Sequence, residues 1–549
     1  MVKRRPQPGP TQSAADALGF AFRLHAAGKL DDAATIATDL VRRQPKLAGA
    51  HYLIGLIATA RGEAARALEH LRQAERHGPA SPSLSLALAR AHAAGGFPDA
   101  AIAHYRAAVA GAPDVAEARF GYGAALLQAG RFLEAVEQLE RDVALRPDHA
   151  EGYNNLGSAL RELGRLPEAV AAFEQAVRLR PDYARALSNL GVALADAGQP
   201  ARALDMLRRA LAIAPDHPGA LNNLGQVLKG QREFDGAIAA FDRLAVLRPD
   251  DPEPPLNRGL VEQARDAHAA ACVAFERALA LREDARAWFC LGKSAAALGE
   301  RARASAAFRR AIALDPSDVC GAGLALAVMG ETALPALPPE RYVKELFDGY
   351  AARFENELVG NLHYRAPEIL HALFAPHVAL GAKLDIVDLG CGTGLGGAAF
   401  QPLARRLDGI DLSPRMIEQA RARGIYQDLT VGELVASLGA LAPARYDLAL
   451  ATDVLVYFGE LAPLFEAVAR VLRPHGWFLF SVERRPDADH GFAMHDGHRY
   501  MHGRAYVAEG AAAAGFAVTA LEDVTTRIDR GEPVPGLGVL LRRAASPHA

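Results

Sequence analysis

A period of 34 residues constrains this chain more than any other feature in it. Proline recurs at Pro45, Pro79, Pro113, Pro147, Pro181, Pro215 and Pro249; Glu283 takes the next position and Pro316 closes the series one residue early. Alanine keeps the same step from Ala33 through Ala67, Ala101, Ala135, Ala169, Ala203 and Ala237 to Ala271, and Ala304 follows one residue early. Glycine follows at Gly55, Gly123, Gly157, Gly191, Gly225, Gly259 and Gly292, with Ala89 substituting once. Nine such units predict a stacked array in which each repeat buries its apolar face against its neighbours.

The content of one period explains the spacing. Residues 153–163 carry helical periodicity and stop at Gly164; residues 167–179 carry it again, with Pro167 in the first turn where its missing N–H does no harm. Pro181 ends the second helix, because proline cannot continue one. Gly157 and Ala169 sit where the helices must approach closely, and larger side chains there would overpack the contact by ~1–3 kcal/mol. The run Tyr153-Asn-Asn-Leu-Gly-Ser-Ala-Leu-Arg-Glu-Leu-Gly-Arg-Leu-Pro-Glu-Ala169 resembles the tetratricopeptide repeat. The resemblance covers about residues 14–318. It is weakest in the eighth repeat, where Glu283 replaces proline and Pro252, Pro254 and Pro255 cluster, so a local irregularity is expected there. Residues 319–330 are expected to cap a solenoid spanning 14–330, behind a flexible tail at 1–13.

Two residues before the repeated glycine, Asn155, Asn189, Asn223 and Asn257 form a row across four successive repeats; flanking repeats carry Ala87, Gly121 and Cys290 there. Asparagine both donates and accepts, so a row of it can pair with an extended peptide backbone. A merely solvated helix position is the competing reading. The row is similar to the asparagine ladder in the repeat domain of O-GlcNAc transferase, and that resemblance implies a protein or peptide partner in the groove. Nothing after residue 318 resembles a glycosyltransferase.

At 549 residues with a net charge of −3, the chain exceeds one core and has no basic or acidic tract suited to nucleic acid. Lys3, Arg4 and Arg5 precede no apolar run, so neither a signal peptide nor a membrane span is expected. Cys272, Cys290, Cys320 and Cys391 form no C-x-x-C pair, so disulfides and zinc are not expected. The expectation is a cytoplasmic protein.

Pro335, Pro338 and Pro339 mark a linker at 331–340, and the pattern changes from 341 to 549. Helical segments at 342–357 and 366–374 lead into apolar strands at 384–389, 407–410, 429–431, 447–451 and 477–482. Segments 516–521 and 538–541 could add a final pair joined by a loop at 530–536. Strands alternating with helices predict a parallel sheet covered on both faces. The expected chain is therefore multidomain: an all-α solenoid, then an α/β Rossmann-like domain.

The chemistry begins at Asp388-Leu-Gly-Cys-Gly-Thr-Gly394, directly after the first of these strands. Gly390, Gly392 and Gly394 let the backbone approach a ligand that a Cβ would block. Counted from Gly392, with Gly394 and Gly397, the glycines also satisfy the dinucleotide pattern. Asp411, at the end of the second strand, could accept ribose hydroxyls from either kind of cofactor. The continuation Asp411-Leu-Ser-Pro-Arg-Met416 resembles class I S-adenosylmethionine-dependent methyltransferases, as do Tyr446-Asp447, Asp453-Val-Leu-Val-Tyr457 and Val471-Leu-Arg-Pro-His-Gly476.

This resemblance implies S-adenosylmethionine as cofactor. Asp388, Gly390, Gly392 and Gly394 would hold its methionine end, Asp411 its ribose and Glu433 its adenine, while Asp453 would face the sulfonium. Glu433 departs from the commoner aspartate, and a solvated loop carboxylate is the alternative. Candidate bases are Asp453, Tyr457 and the histidines of 489–502, His502 among them; Arg499-Tyr-Met-His502 matches a stretch in similar proteins and reads as a substrate loop. A metal site from His495, His498 and His502 is the weaker alternative, so no metal is expected. No Asn-Pro-Pro-Tyr motif follows strand four, which weighs against amide and adenine-N methylation. Phe347 to Phe354, with Tyr364-Arg365, is expected to form a lid. The expected function is methyl transfer to an unidentified acceptor, with the solenoid recruiting a protein substrate or partner; the alternative is an interaction scaffold with a non-catalytic cofactor domain.

Overall fold

The computed structural model describes residues 13–351, 364–495, 498–529 and 531–545. The expected tail through residue 12 and the end of the expected lid at 352–354 lie outside these residues. The chain divides into two compact units, Met1–Val261 and Glu262–Ala549.

The first unit is a stack of helix pairs such as Ala150–Glu162 with Leu166–Leu179 and Ala184–Asp196 with Pro200–Ile213. Each first helix ends on a residue in the left-handed region: Gly28, Gly62, Gly96, Gly130, Gly164 and Gly198 have φ of 72–76°, and Arg232 takes the same place with φ 61°. This turn lets the next N–H reach back, as Arg165 N does to Leu160 O at 3.0 Å. The repeated alanines of both units, Ala33 to Ala304, are all fully buried. The repeated glycines are contact points: a Cβ on Gly157 would stand 2.8 Å from the Phe173 ring, and one on Gly191 2.7 Å from Leu207. The irregularity expected around the eighth repeat is small. Its first helix, Glu253–Ala264, has 12 residues where the others have 13, and opens on the buried Pro254 and Pro255.

The second unit begins within that repeat and contains the ninth, helices Ala285–Ala297 and Arg301–Leu314. A short helix, Ala322–Val328, follows inside the expected cap. Helices Glu340–Tyr350 and Ala366–Phe374 then lead into nine strands. These are β1 (Leu384–Leu389), β2 (Ala404–Asp411), β3 (Asp428–Val431), β4 (Tyr446–Ala451), β5 (Leu472–Arg484), β6 (Phe492–Met494), β7 (Tyr500–His502), β8 (Phe516–Asp529) and β9 (Glu532–Arg543). β3-β2-β1-β4-β5 run parallel; β9 joins β5 antiparallel and pairs in turn with β8. The core strands carry Val387, Leu389, Ala449, Ala451, Phe478 and Phe480, all fully buried, as strands covered on both faces require.

Two expectations are corrected here. Residues 532–536 of the expected loop are strand: β9 already starts at Glu532 and pairs with β8, with Asp529 opposite Glu532, while residue 530 lies outside the described residues. The histidine-bearing stretch before residue 502 is not simply a loop. It contains the two-stranded ribbon β6–β7, and β7 extends the end of β5 through Glu483–Met501 and Arg484–His502. Among the described residues, no helix is long and apolar enough to cross a membrane, and no group of three His, Cys, Asp or Glu side chains is arranged to hold a metal.

Candidate functional site

In a doubly wound sheet, ligands bind beyond the carboxyl ends of the strands where strand order reverses. Here the reversal lies between β1 and β4. A cavity of about 670 Å³ opens at that edge, lined by the turns after β1 to β4, by Arg499, Arg527 and Asp529, and by residues ahead of the sheet. Its volume falls within the range of small-molecule sites.

The loop after β1 forms one wall. Gly390 and Gly392 have φ of 63° and 54°, a conformation other residues adopt only under strain, and both line the cavity with Cys391, Thr393, Leu395 and Gly396. Asp411 ends β2 and faces the same space. Its carboxylate accepts Gly392 N at 2.9 Å and Ser413 N at 2.8 Å, so it organises the loop as well as the wall. Burial raises its pKa, and the two backbone donors offset part of that. Glu433 also lines the cavity, but its two oxygens accept Val435 N and Ala436 N at 3.0 and 2.7 Å, capping helix Leu434–Ala440.

A charged cluster that includes Asp453, Arg499 and Arg527 also contributes to the lining. Asp453 has φ 57°, and its N–H donates to Ser481 Oγ at 3.0 Å. Its carboxylate accepts Arg499 Nη2 at 2.6 Å and lies 3.5 Å from Arg527 Nη1. Both arginines also donate to Glu483 Oε1, at 2.6 and 2.7 Å, and His495 Nε2 reaches Glu483 Oε2 at 3.1 Å. Burial alone would raise the Glu483 carboxyl; the hydrogen bond with His495 and the two guanidinium charges outweigh it and hold the pKa at about 2. Arg499 Nη1 donates to Tyr457 Oη at 3.2 Å, and the Phe347 ring meets the Tyr457 ring edge-on at 5.3 Å. The helix carrying Phe347 is tied down by Ser413 Oγ, which donates to Asp348 Oδ1 at 2.5 Å.

Three of the expected site residues stand elsewhere. Asp388 is fully buried beneath the loop and accepts the Tyr426 hydroxyl at 2.7 Å; burial raises its pKa to about 7. It does not line the cavity, because β1 turns its side chain under Gly396 and Gly397, whose Cβ positions lie 3.5 and 3.1 Å from its oxygens. Gly394 has φ 93° at the start of helix Leu395–Phe400 and also lies off the wall. His502 is fully buried on β7. Its Nε2 bonds the Phe458 carbonyl at 2.7 Å, and burial lowers its pKa to about 4. It is a core histidine and does not line the cavity. Glu483, Arg527 and Asp529 carry no local sequence signal: Glu483 directly follows the mostly apolar run at 477–482 of β5, and Arg527 and Asp529 stand among other charged and polar residues of β8.

The row of asparagines lies in the first unit, on first helices that touch one another: Ala184–Asp196 meets both Ala150–Glu162 and Pro218–Gly230. Asn189 donates to Asn154 Oδ1 at 2.9 Å, Asn223 to Ser188 Oγ at 3.1 Å and Asn257 to Asn222 Oδ1 at 3.4 Å. Asn155 accepts from Asn154 at 3.3 Å. All four are half-buried, and three bridge to the preceding repeat instead of being simply solvated.

Comparison with known proteins agrees with this architecture. Residues 387–480 match the methyltransferase domain family, and residues 23–82, 114–182, 148–216, 194–254 and 285–318 match tetratricopeptide repeat families. A ubiquinone biosynthesis O-methyltransferase of Paraburkholderia phytofirmans is 31% identical over 121 residues, 22% of this chain and 52% of that protein. The chain thus spans about half the length of that relative. An S-adenosylmethionine dependent methyltransferase from Mesorhizobium loti is 25% identical over 32% of this chain and 98% of its own, with a TM-score of 0.26. YrrB, a TPR protein with an unusual peptide-binding site, is 23% identical over 32% of this chain and 90% of its own, with a TM-score of 0.30. The chain therefore joins segments that match tetratricopeptide repeat families to one that matches the methyltransferase domain family.

Proposed function

We propose that this protein is an S-adenosylmethionine-dependent methyltransferase acting on an oxygen acceptor, with its repeat array recruiting a protein substrate or partner. The observation that carries the first part is the pairing of a Cβ-free loop, Gly390 to Gly392, with the Asp411 carboxylate across one cavity wall. Two glycines leave room for a ligand against the backbone, and each Asp411 oxygen keeps a lone pair beyond its backbone bond. These residues fit S-adenosylmethionine, with Glu433 and Leu434 on the adenine side. When bound, the cofactor supplies a methyl group already activated by a sulfonium.

The chain's own residues then orient the acceptor and exclude water. Asp453 is tied to Arg499 and Arg527, so we assign it an orienting role and not that of a base. Tyr457, which lines the cavity and accepts a hydrogen bond from Arg499, is the remaining proposed catalytic residue. Asp388 and Gly394 support the loop from below. The name of the curated relative supports oxygen as the acceptor atom. The row from Asn155 to Asn257 supports peptide recruitment, because each side-chain amide can make more hydrogen bonds than the one described above. Full-length protein incubated with methyl-labelled S-adenosylmethionine and a cell lysate should transfer label, and Tyr457→Phe should reduce it. Cofactor binding without transfer in any lysate fraction would instead favour a scaffold with a non-catalytic cofactor domain.

A further inference from the structure

The cavity is not built by the sheet alone. Leu337, Pro338 and Glu340, from the proline-rich segment that leads out of the repeats, line it together with Val343, Leu346 and Phe347. That segment is pinned by its backbone: Ala336 O accepts Gly459 N at 2.8 Å and Glu460 N at 3.1 Å, and Pro335 O accepts the Tyr500 hydroxyl at 2.7 Å. The short helix closing the repeats is pinned as well. Leu324 packs with Met494 and Tyr500 of the β6–β7 ribbon, and Val328, Leu334, Tyr342 and Phe492 complete that apolar cluster.

A polar path runs through the same contact. Tyr342 Oη and His498 Nδ1 are hydrogen-bonded at 3.1 Å, their rings edge-on at 5.8 Å. Gly321, at the start of the closing helix with φ 77°, lies so close that a Cβ there would meet the Tyr342 ring at 2.8 Å. His498 itself has φ 55° and immediately precedes Arg499, the residue that reaches Asp453, Tyr457 and Glu483.

We propose that Tyr342 and His498 are positioning residues that fix Arg499 in the cavity, and that the linker leading out of the repeats, braced by the closing helix, forms the acceptor-side wall. The loop after β1 and Asp411 hold one half of the cavity; Leu337, Pro338, Phe347 and Tyr457 shape the other. The array is then joined to the reaction through the wall that selects the acceptor. This inference rests on the methyltransferase reading for the meaning of the two halves, but its geometry can be tested separately.

The test compares full-length protein with its Tyr342→Phe, His498→Ala and His498→Asn variants by hydrogen exchange, and titrates each with S-adenosylhomocysteine. Losing a neutral hydrogen bond worth ~0.5–1.5 kcal/mol corresponds to a roughly two- to tenfold rise in local opening. Tyr342→Phe and His498→Ala should raise exchange by that factor in residues 498–502 and leave S-adenosylhomocysteine affinity within about twofold of the parent. His498→Asn should restore slow exchange, because asparagine offers an amide atom near the place of Nδ1 and tolerates positive φ. Label transfer to the lysate acceptor should fall in the first two variants and recover in the third. Unchanged exchange in 498–502, or an equal rise across β1 to β4, would overturn the proposal. Complete absence of S-adenosylhomocysteine binding in the parent would instead overturn the methyltransferase reading, leaving the exchange result to decide the positioning role on its own.

Discussion

Asp453 and Arg499 meet at 2.6 Å inside the second unit, although 46 residues separate them in the chain. Asp453 ends the turn after β4, and Arg499 comes from the ribbon that extends β5. Their side chains are 13% and 14% exposed, so the pair is largely removed from water. Removing one partner of such a pair leaves the other charge uncompensated, at a cost of ~3–5 kcal/mol. Arg499→Leu should therefore lower the stability of the second unit by about that amount, with Arg527 recovering part of it. Denaturant unfolding should give a coupling energy for Arg499→Leu with Asp453→Asn above ~0.5 kcal/mol; additive losses would remove the pair from the account.

Asp388 makes the stability of this unit depend on pH. Its ordinary value is 3.8, and burial raises it to about 7 in the folded chain. Between those values the folded state holds a proton that the unfolded state has released. The contribution is full below pH 3.8 and is lost as pH rises towards about 7. Glu483 acts in the opposite sense and lower down: held at about 2, it adds stability above its ordinary 4.5 that is lost on acidification towards 2. Asp388→Asn should therefore gain stability relative to the parent as pH is raised from about 4.5 to about 8. Parallel denaturation midpoints across that range would contradict the assignment.

The turn inside each repeat predicts a stabilising change. Arg232 and Asp266 adopt φ of 61° and 62° where other repeats place glycine. The left-handed conformation costs a non-glycine residue ~1–2 kcal/mol, somewhat less for aspartate. Arg232→Gly should raise stability by about 1 kcal/mol and Asp266→Gly by less. Urea unfolding of each variant measures this, and a loss of stability in Arg232→Gly would show that its contact with the Phe234 ring, at 5.6 Å, outweighs the backbone term.

The asparagine row predicts a cost as well as a function. Asn189 donates to Asn154, which is only 2% exposed. Asn189→Ala leaves a buried acceptor without that donor and should destabilise the array by ~1–3 kcal/mol. A row acting only as a ligand surface would leave the urea midpoint unchanged.

Periodic features were legible from sequence and isolated ones were not. The alanine, glycine and proline steps located the repeats because stacking imposes the same contact on every unit, as Gly157 with Phe173 and Gly191 with Leu207 illustrate. β1 was bounded at Leu384 and Leu389 because four apolar residues out of six lead directly into a glycine loop. The ribbon was missed because β6 and β7 have three residues each, too short for any alternation to show. His502 reads as a candidate base because it ends the Arg499-Tyr-Met-His502 stretch; its place on β7, paired with β5, buries it. Arg527 and Glu483 became site residues only through pairing across β5, β8 and β9, a relationship between distant segments.

The central claim is that the cavity beyond β1 and β2 binds S-adenosylmethionine through the glycine loop and Asp411. Calorimetric titration of the full chain with S-adenosylhomocysteine, with NAD as the competing ligand, tests it most directly. Hydrogen bonds to a charged acceptor are worth ~1.5–3 kcal/mol, and each 1.4 kcal/mol is about tenfold in affinity. Saturable binding of S-adenosylhomocysteine, none of NAD, and a roughly 10- to 100-fold weaker dissociation constant in a folded Asp411→Ala variant are expected. Binding of NAD without S-adenosylhomocysteine, or an unchanged constant in Asp411→Ala, would contradict it.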